Sequence, residues 1–477
     1  MTPRAARRQV AALLVAVAAA LSLPATASAH GIAQRADLPV PEWLFAWAAA
    51  FVLLVSFVAL AILWPRPVLE QARERLLLCV PGALEVLAGA FGVFAFAAVV
   101  YAGFAGTQTA TANLAPTVIF VLFWVGIPFL TMFVGDVFAA VSPWRAVGRA
   151  AGWLATRVGR AQLPEPLAYP ARVGRWPAAL GILLFAWVEL VYVNRDQPSV
   201  LATMAVAYAV VMLVGQSLYG VEAWTRNADA FGVAFGLFAR LAPLHWRERH
   251  LYLRPVLVGA PRMPTGPGAV AVVCVMIGTT TFDGFSQGAV WLDPNGLAAR
   301  LTSVFHGLGL GPEAAPQGAY TVGLVVVVLI VAGLYRLGIA GMRTVGRDHT
   351  TNDLARRFAH SLIPIALAYV VAHYFSLLAY QGQAIAYLAS DPLGNGSNLL
   401  GTASATIDYG IVGGTGIWYV QVAALVAGHV AGLTLAHDRA LSIWRDPRIA
   451  TRSQYWMLLV MVTFTCLGLW LLSAASR

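Results

Sequence analysis

The chain reads as an all-α, polytopic transmembrane helical bundle of about ten spans after a cleavable signal peptide, with both mature ends outside. Three observations carry that class. Of 477 residues, 59% are hydrophobic and 11% charged, whereas soluble domains carry about a quarter charged residues. Apolar segments of spanning length recur along the whole chain. The net charge of +10 rests on arginine, with no lysine in the sequence. In so apolar a chain that excess is a topology signal, and no nucleic-acid partner is expected from it.

Residues 1–29 have the layout of a secretory signal. Arg4, Arg7 and Arg8 precede an apolar run from Val10 to Leu23, and Ala27-Ser28-Ala29 supplies a small-residue cleavage site. Cleavage there leaves His30 as the mature N-terminus on the outer face. Apolar segments follow at 43–64, 81–104, 115–138, 176–193, 199–222, 266–284, 318–340, 355–380, 416–437 and 453–474. Each is near the ~20 residues that a spanning helix needs. With the N-terminus outside, the loops at 65–80, 139–175, 223–265, 341–354 and 438–452 face the cytoplasm. Those loops and their flanks hold 24 of the 31 arginines, against four on the outer side. This places the chain in the inner (plasma) membrane as a multi-pass protein, with the lipid bilayer as its first partner.

Several inner loops begin with amphipathic stretches, which predict interfacial helices near 67–80, 143–160 and 228–246. Trp144-Arg145, Trp246-Arg247 and Trp444-Arg445 recur at this level and read as an aromatic belt beside inner arginines. Two outer loops are long, at 285–317 and 381–415. Long loops on one face often serve as lids or entrances. Cys79, Cys274 and Cys466 show no metal spacing and imply no disulfide framework.

Ionisable groups inside a bilayer are costly, so each needs a reason. They fall into two layers. The inner layer holds Glu85, Asp136, Gln216, His360 and His429, and the outer one Glu189, Asp283 and His373. On the eighth span Tyr369, His373, Ser376, Tyr380 and Gln383 recur at spacings of 4, 3, 4 and 3, which is one continuous polar stripe on a helix. Such a stripe faces protein or water, and the other helices are expected to gather around it. The sixth span ends Thr279-Thr280-Thr281-Phe282-Asp283, with Thr279, Asp283 and Ser286 or Gln287 on one face. Asp283 and His373 lie at similar depth. An imidazole beside a carboxylate is a general base, two ligands of a metal site, or a hydrogen-bonded pair that fixes packing.

The outer candidates are therefore His373, Asp283 and Glu189 for catalysis. Tyr369, Ser376, Tyr380, Gln383 and Thr279 are candidates for substrate contact. A divalent metal would draw on His306 and His30, the latter able to chelate copper through its own amine and ring. His360 and His373 stand on different faces with Pro364 between them, so His360 is read as architecture. Ala424, Gly428 and Gly432 form a small-residue stripe for close helix approach, making His429 an interhelical hydrogen-bond partner. His437-Asp438-Arg439 reads as a solvated charge cluster at the inner boundary.

Several stretches resemble a bacterial integral membrane family commonly labelled fenitrothion hydrolase. They are Ser28-Ala29-His30-Gly31-Ile32 with Asp37-Leu38-Pro39, Ser142-Pro143-Trp144-Arg145-Ala146, and Phe282-Asp283-Gly284-Phe285-Ser286. To these are added Ala372-His373-Tyr374-Phe375-Ser376-Leu377-Leu378 and Gly428-His429-Val430-Ala431-Gly432 through Ala436-His437-Asp438-Arg439-Ala440. The resemblance implies hydrolysis of an aryl phosphorothioate triester to a nitrophenol and assigns no residue roles. Such an apolar small molecule partitions into the bilayer, and its hydrolysis needs an activated water and charge stabilisation at the phosphoryl oxygen. Two other classes stay open on the residues alone. One is a transporter with two polar layers joined by a kinked helix. The other is copper handling through His30 and outer histidines.

Overall fold

In lipid every backbone N–H and C=O must find a partner within its own segment, so long apolar runs become helices. The computed structural model describes residues 42–158, 165–345, 349–444 and 446–474. The expected signal segment and His30 lie outside the described residues. In chain order the main helices are α1 (Glu42–Leu63), α2 (Gly82–Ala105), α3 (Leu114–Val134), α4 (Pro143–Val158), α5 (Trp176–Leu190), α6 (Pro198–Tyr219) and α7 (Ala230–Phe238). They continue as α8 (Ala269–Ser286), α9 (Leu297–Gly307), α10 (Ala314–Met342), α11 (Ile363–Gln381), α12 (Gly414–Ile443) and α13 (Tyr455–Ala474). Among the described residues seven helices are long and apolar enough to cross a membrane: α2, α3, α6, α8, α10, α12 and the stretch Thr351–Leu388 that contains α11.

The most enclosed helix is α8, not α11. Every residue from Val272 to Gly284 is buried, with α5, α10 and α11 packed around it. The polar stripe of α11 is thus one wall of a bundle centred on its neighbour. The middle of α3, Thr117–Gly126, is a ten-residue π-helix. Such wide turns are rare and, where they occur, are frequently at functional sites. Asn113 joins α2 to α3: its Oδ1 accepts from Ala115 N at 2.9 Å, and its Nδ2 donates to Ala102 O and Thr107 O, both at 2.8 Å.

α11 and α12 touch along the small-residue stripe. A Cβ on Gly428 would collide with Ala368 Cβ and come within 2.7 Å of Pro364 O; one on Gly432 would meet Ser361 O at 2.8 Å. Gly428→Leu should therefore lower the unfolding midpoint, at a cost of about 1–3 kcal/mol from overpacking. Gly333→Ala, where nothing lies within 4 Å, should leave it unchanged or raise it. Equal midpoints for Gly428→Leu and the wild type in a fluorescence melt would refute this contact.

The inner loops depart from the interfacial-helix reading. Residues 67–72 form turns, and the apolar run after them is a strand, β1 (Arg75–Cys79). It pairs antiparallel with β3 (His250–Leu253), which also pairs with β2 (Leu244–Arg247), giving the order β1-β3-β2. Near 228–246 the chain forms α7, whose Ala230, Phe231, Val233, Ala234, Phe235, Leu237 and Phe238 are all buried. That helix is core, because its aromatic rings interlock with Phe123, Trp124 and Phe185. Near 143–160 a helix does form, α4, with Val147, Leu154 and Val158 exposed. Arg149 pairs with Glu85, and Arg145 and Arg149 with Glu222, which ties α4 to its neighbours.

The aromatic belt dissolves at two of its three positions. Trp144 is buried and donates Nε1–H to Asp229 Oδ2 at 2.7 Å; Trp444 is buried against Phe358. Trp246 is exposed and donates to Val134 O at 2.9 Å. The cluster at 437–439 is also not solvated. Asp438 is 1% exposed and accepts from Trp64 Nε1, Val68 N and Leu69 N at 3.0, 2.6 and 3.2 Å. His437 contacts Trp64 O and Gln454, and Arg439 pairs with Glu70. In the turn after α1, Gln71 N and Ala72 N bond back to Val68 O and Leu69 O, while Val68 N and Leu69 N take their acceptor from α12.

Candidate functional site

The outer polar groups converge from three helices. Asp283 comes from the end of α8, and His373 and Tyr374 from the middle of α11. His373 Nε2 lies 2.8 Å from Asp283 Oδ2, and Tyr374 OH donates to the same oxygen at 2.8 Å. Consecutive residues on a helix point about 100° apart, so both reach Asp283 only because it lies between their directions. Ser286 Oγ bonds Asp283 O at 2.9 Å and closes the last turn of α8.

Glu189, on α5, is half-buried and interacts electrostatically with Asp283 and Tyr374. Trp124, carried by the π-helical turns of α3, interacts with Glu189 and Tyr374. Its indole N–H lies within hydrogen-bonding range of both, without a well-aligned bond to either.

The geometry constrains the histidine. A carboxylate at Nε2 accepts the proton on that nitrogen, so whenever the ring is neutral its lone pair is on Nδ1. Among the described residues Nδ1 has no hydrogen bond, and it lies over the backbone of Gly284, where a Cβ would be 3.7 Å away. The His373 side chain remains 22% accessible, against 12% for Asp283. An oriented, partly accessible imidazole beside a buried carboxylate is the arrangement of a general base.

The remaining polar candidates go elsewhere. Tyr369 OH donates to Phe464 O of α13 at 3.0 Å, so this end of the stripe fixes a helix contact. Thr279 is buried and bonds Met276 O within α8. Tyr380 OH donates to Val412 O at 2.6 Å, while Gln383 exchanges hydrogen bonds with Asp408 O and N, both at 3.0 Å. These two hold the outer loop over the end of α11. Ser376 is half-buried and makes no hydrogen bond to Asp283 or His373. The stripe splits because three different elements lie along it.

His306 is exposed on α9, with Nδ1 3.1 Å from Leu310 O, and shares no contact with Asp283 or His373. Among the described residues no group of three His, Cys, Asp or Glu side chains is placed to hold a metal ion. The metal role expected of His306 therefore finds no companion ligands there. In the inner layer His360 and His429 are buried and spend Nδ1 on Arg357 O and Leu425 O at 2.9 and 2.7 Å. His429 bonds within its own helix, so it is not the interhelical partner its small-residue neighbours imply.

Sequence reasoning misses Tyr374 and Trp124. Tyr374 lies off the polar stripe, and a lone aromatic in an apolar span has no signal beyond its adjacency to His373. No family model matches the chain, and neither a curated protein nor a solved structure matches it.

Proposed function

We propose that the chain is a membrane-embedded hydrolase of apolar organophosphorus triesters, with His373 as general base and Asp283 as the group that orients it. The observation that carries this reading is the hydrogen bond of His373 Nε2 to the buried Asp283, made by a side chain that keeps 22% of its surface accessible. Water gives a proton to Nδ1 as its oxygen bonds to phosphorus, and the P–O bond to the aryl group breaks, releasing a phenolate. Trp124 Nε1–H, which stands beside Glu189 and Tyr374, is the donor assigned to the non-bridging oxygen or sulfur as charge builds there. The resemblance to the fenitrothion hydrolase family agrees with this chemistry.

A second reading, a proton-coupled permease, is favoured by one observation. Glu189 adds a second carboxyl to the His373–Asp283 pair inside an apolar bundle, and intramembrane acid–histidine chains often relay protons. The two separate by measurement. Purified full-length protein should release nitrophenol from a nitrophenyl phosphorothioate triester, and proteoliposomes should show no proton flux driven by that compound. Flux without hydrolysis would reverse the choice.

We further infer ten crossings, with α1, α5 and α13 added to the seven long apolar helices, and both mature ends outside in the plasma membrane. The arginine asymmetry supports this orientation. Reporter fusions after Arg75 and after Arg254 should both score as cytoplasmic. An external score for either would overturn it.

A further inference from the structure

On the arginine-rich side, the start of α5 is pinned by a close backbone contact. Arg175 N donates to Pro267 O at 2.8 Å. Gly174 and Gly268 both have positive φ, 48° and 77°, and a Cβ on Gly268 would come within 2.6 Å of Arg175 C. This brings the N-terminal ends of α5 and α8 together, two helix ends that favour negative charge. Between them stands Arg175, only 7% exposed. Its guanidinium makes no ion pair and no side-chain hydrogen bond among the described residues, and Nη1 is buried without a partner.

The surroundings do not neutralise it. The charged group acting on Arg175 is another arginine, Arg226, exposed at the end of the short helix Val221–Asn227. Arg175 also acts on Arg240, whose Nη1 donates only to carbonyls, Arg262 O at 2.9 Å and Gly259 O at 3.4 Å. Arg262 and Arg254 share a single carboxylate, Glu74. Asp136, the acid within range of Arg240, already accepts from Ala139 N. Burial, then the neighbouring Arg175, lowers Arg240 to about 10, so it remains cationic at neutral pH. A buried charge left without a counter-charge is strongly unfavourable, and this one is built into rigid backbone.

We propose that Arg175, with Arg240 and Arg226, forms a binding site for a phosphate group, presented either by an anionic lipid headgroup or as free phosphate. Guanidinium forks match phosphate oxygens in pairs, and basic pockets between helices on the cytoplasmic side bind such headgroups. Trp176, 57% exposed beside Arg175, gives an acyl chain an apolar surface to follow. The site is separate from the His373–Asp283 pair and does not depend on its role.

The test compares melting of the full-length protein in nanodiscs of phosphatidylcholine alone and with phosphatidylglycerol, and in detergent with inorganic phosphate. Phosphatidylglycerol should raise the wild-type midpoint by several degrees, and Arg175→Gln should abolish that gain. In phosphatidylcholine alone Arg175→Gln should melt at or above wild type, because an uncompensated charge has been removed. A merely structural arginine would not give that reversal. Should Arg175→Gln fail to fold, the exposed Arg226→Gln reads the same gain and should reduce it by at least half. A response to inorganic phosphate assigns the site to free anion, and a response to the lipid alone assigns it to the headgroup. Identical midpoints in both lipids and no phosphate response, or an undiminished gain in both variants, would overturn the proposal.

Discussion

Asp283→Asn should lower triester hydrolysis by about 10²–10⁴-fold, the usual range for loss of a general base, while the protein stays folded. Asp283 Oδ2 is the shared acceptor of His373 Nε2–H and Tyr374 O–H. An asparagine can turn its amide N–H₂ toward Nε2, which forces the ring proton onto Nδ1 and removes the basic lone pair there. His373→Gln should be at least as severe, since no base is left. Tyr374→Phe removes one donor and keeps the His–Asp pair, so a loss of about tenfold or less is expected from a single hydrogen bond. Nitrophenol release under saturating substrate checks all three. If Asp283→Asn stays within tenfold of wild type, the pair is packing and not chemistry.

The second large effect concerns stability. Asp438→Ala should destabilise the protein by several kcal/mol, because each buried donor left without its acceptor costs about 1–3 kcal/mol. Three donors, Trp64 Nε1, Val68 N and Leu69 N, would be stranded at once. Asp438→Asn keeps an acceptor oxygen and should cost less. Thermal unfolding of the detergent-purified protein reads both, and a wild-type midpoint in Asp438→Ala would refute the anchoring role. This carboxylate lies beyond the reach of the expected site and shares none of its groups.

The membrane helices are legible in the sequence because a bilayer imposes one simple demand, a long apolar run. The segments expected at 199–222 and 416–437 appear as Pro198–Tyr219 and Gly414–Ile443. The depth of Asp283 and His373 is legible for the same reason, as each sits a countable number of residues from a helix end. Their contact is not, because it depends on how α8 and α11 turn toward each other. Partners far apart in the chain account for the other departures. Trp144 looks like a belt residue until Asp229 is seen beside it, and Asp438 looks solvated until the turn after α1 folds onto it. The strand Arg75–Cys79 has the composition of a short amphipathic helix, and only β3 decides otherwise.

That sheet also sets an order of events during synthesis. β1 leaves the ribosome directly after α1, but its partner β3 is encoded after six further helices, α2 to α7. At about 5–20 residues per second, translation needs roughly 10–30 s to bridge that gap. Throughout that interval β1 is an unpaired edge with Leu76, Leu77 and Leu78 on it, all exposed even in the finished fold. A nascent chain stalled before His250 keeps this edge open. The sheet thus acts as a late latch on assembly, closing only after the early helices have been inserted.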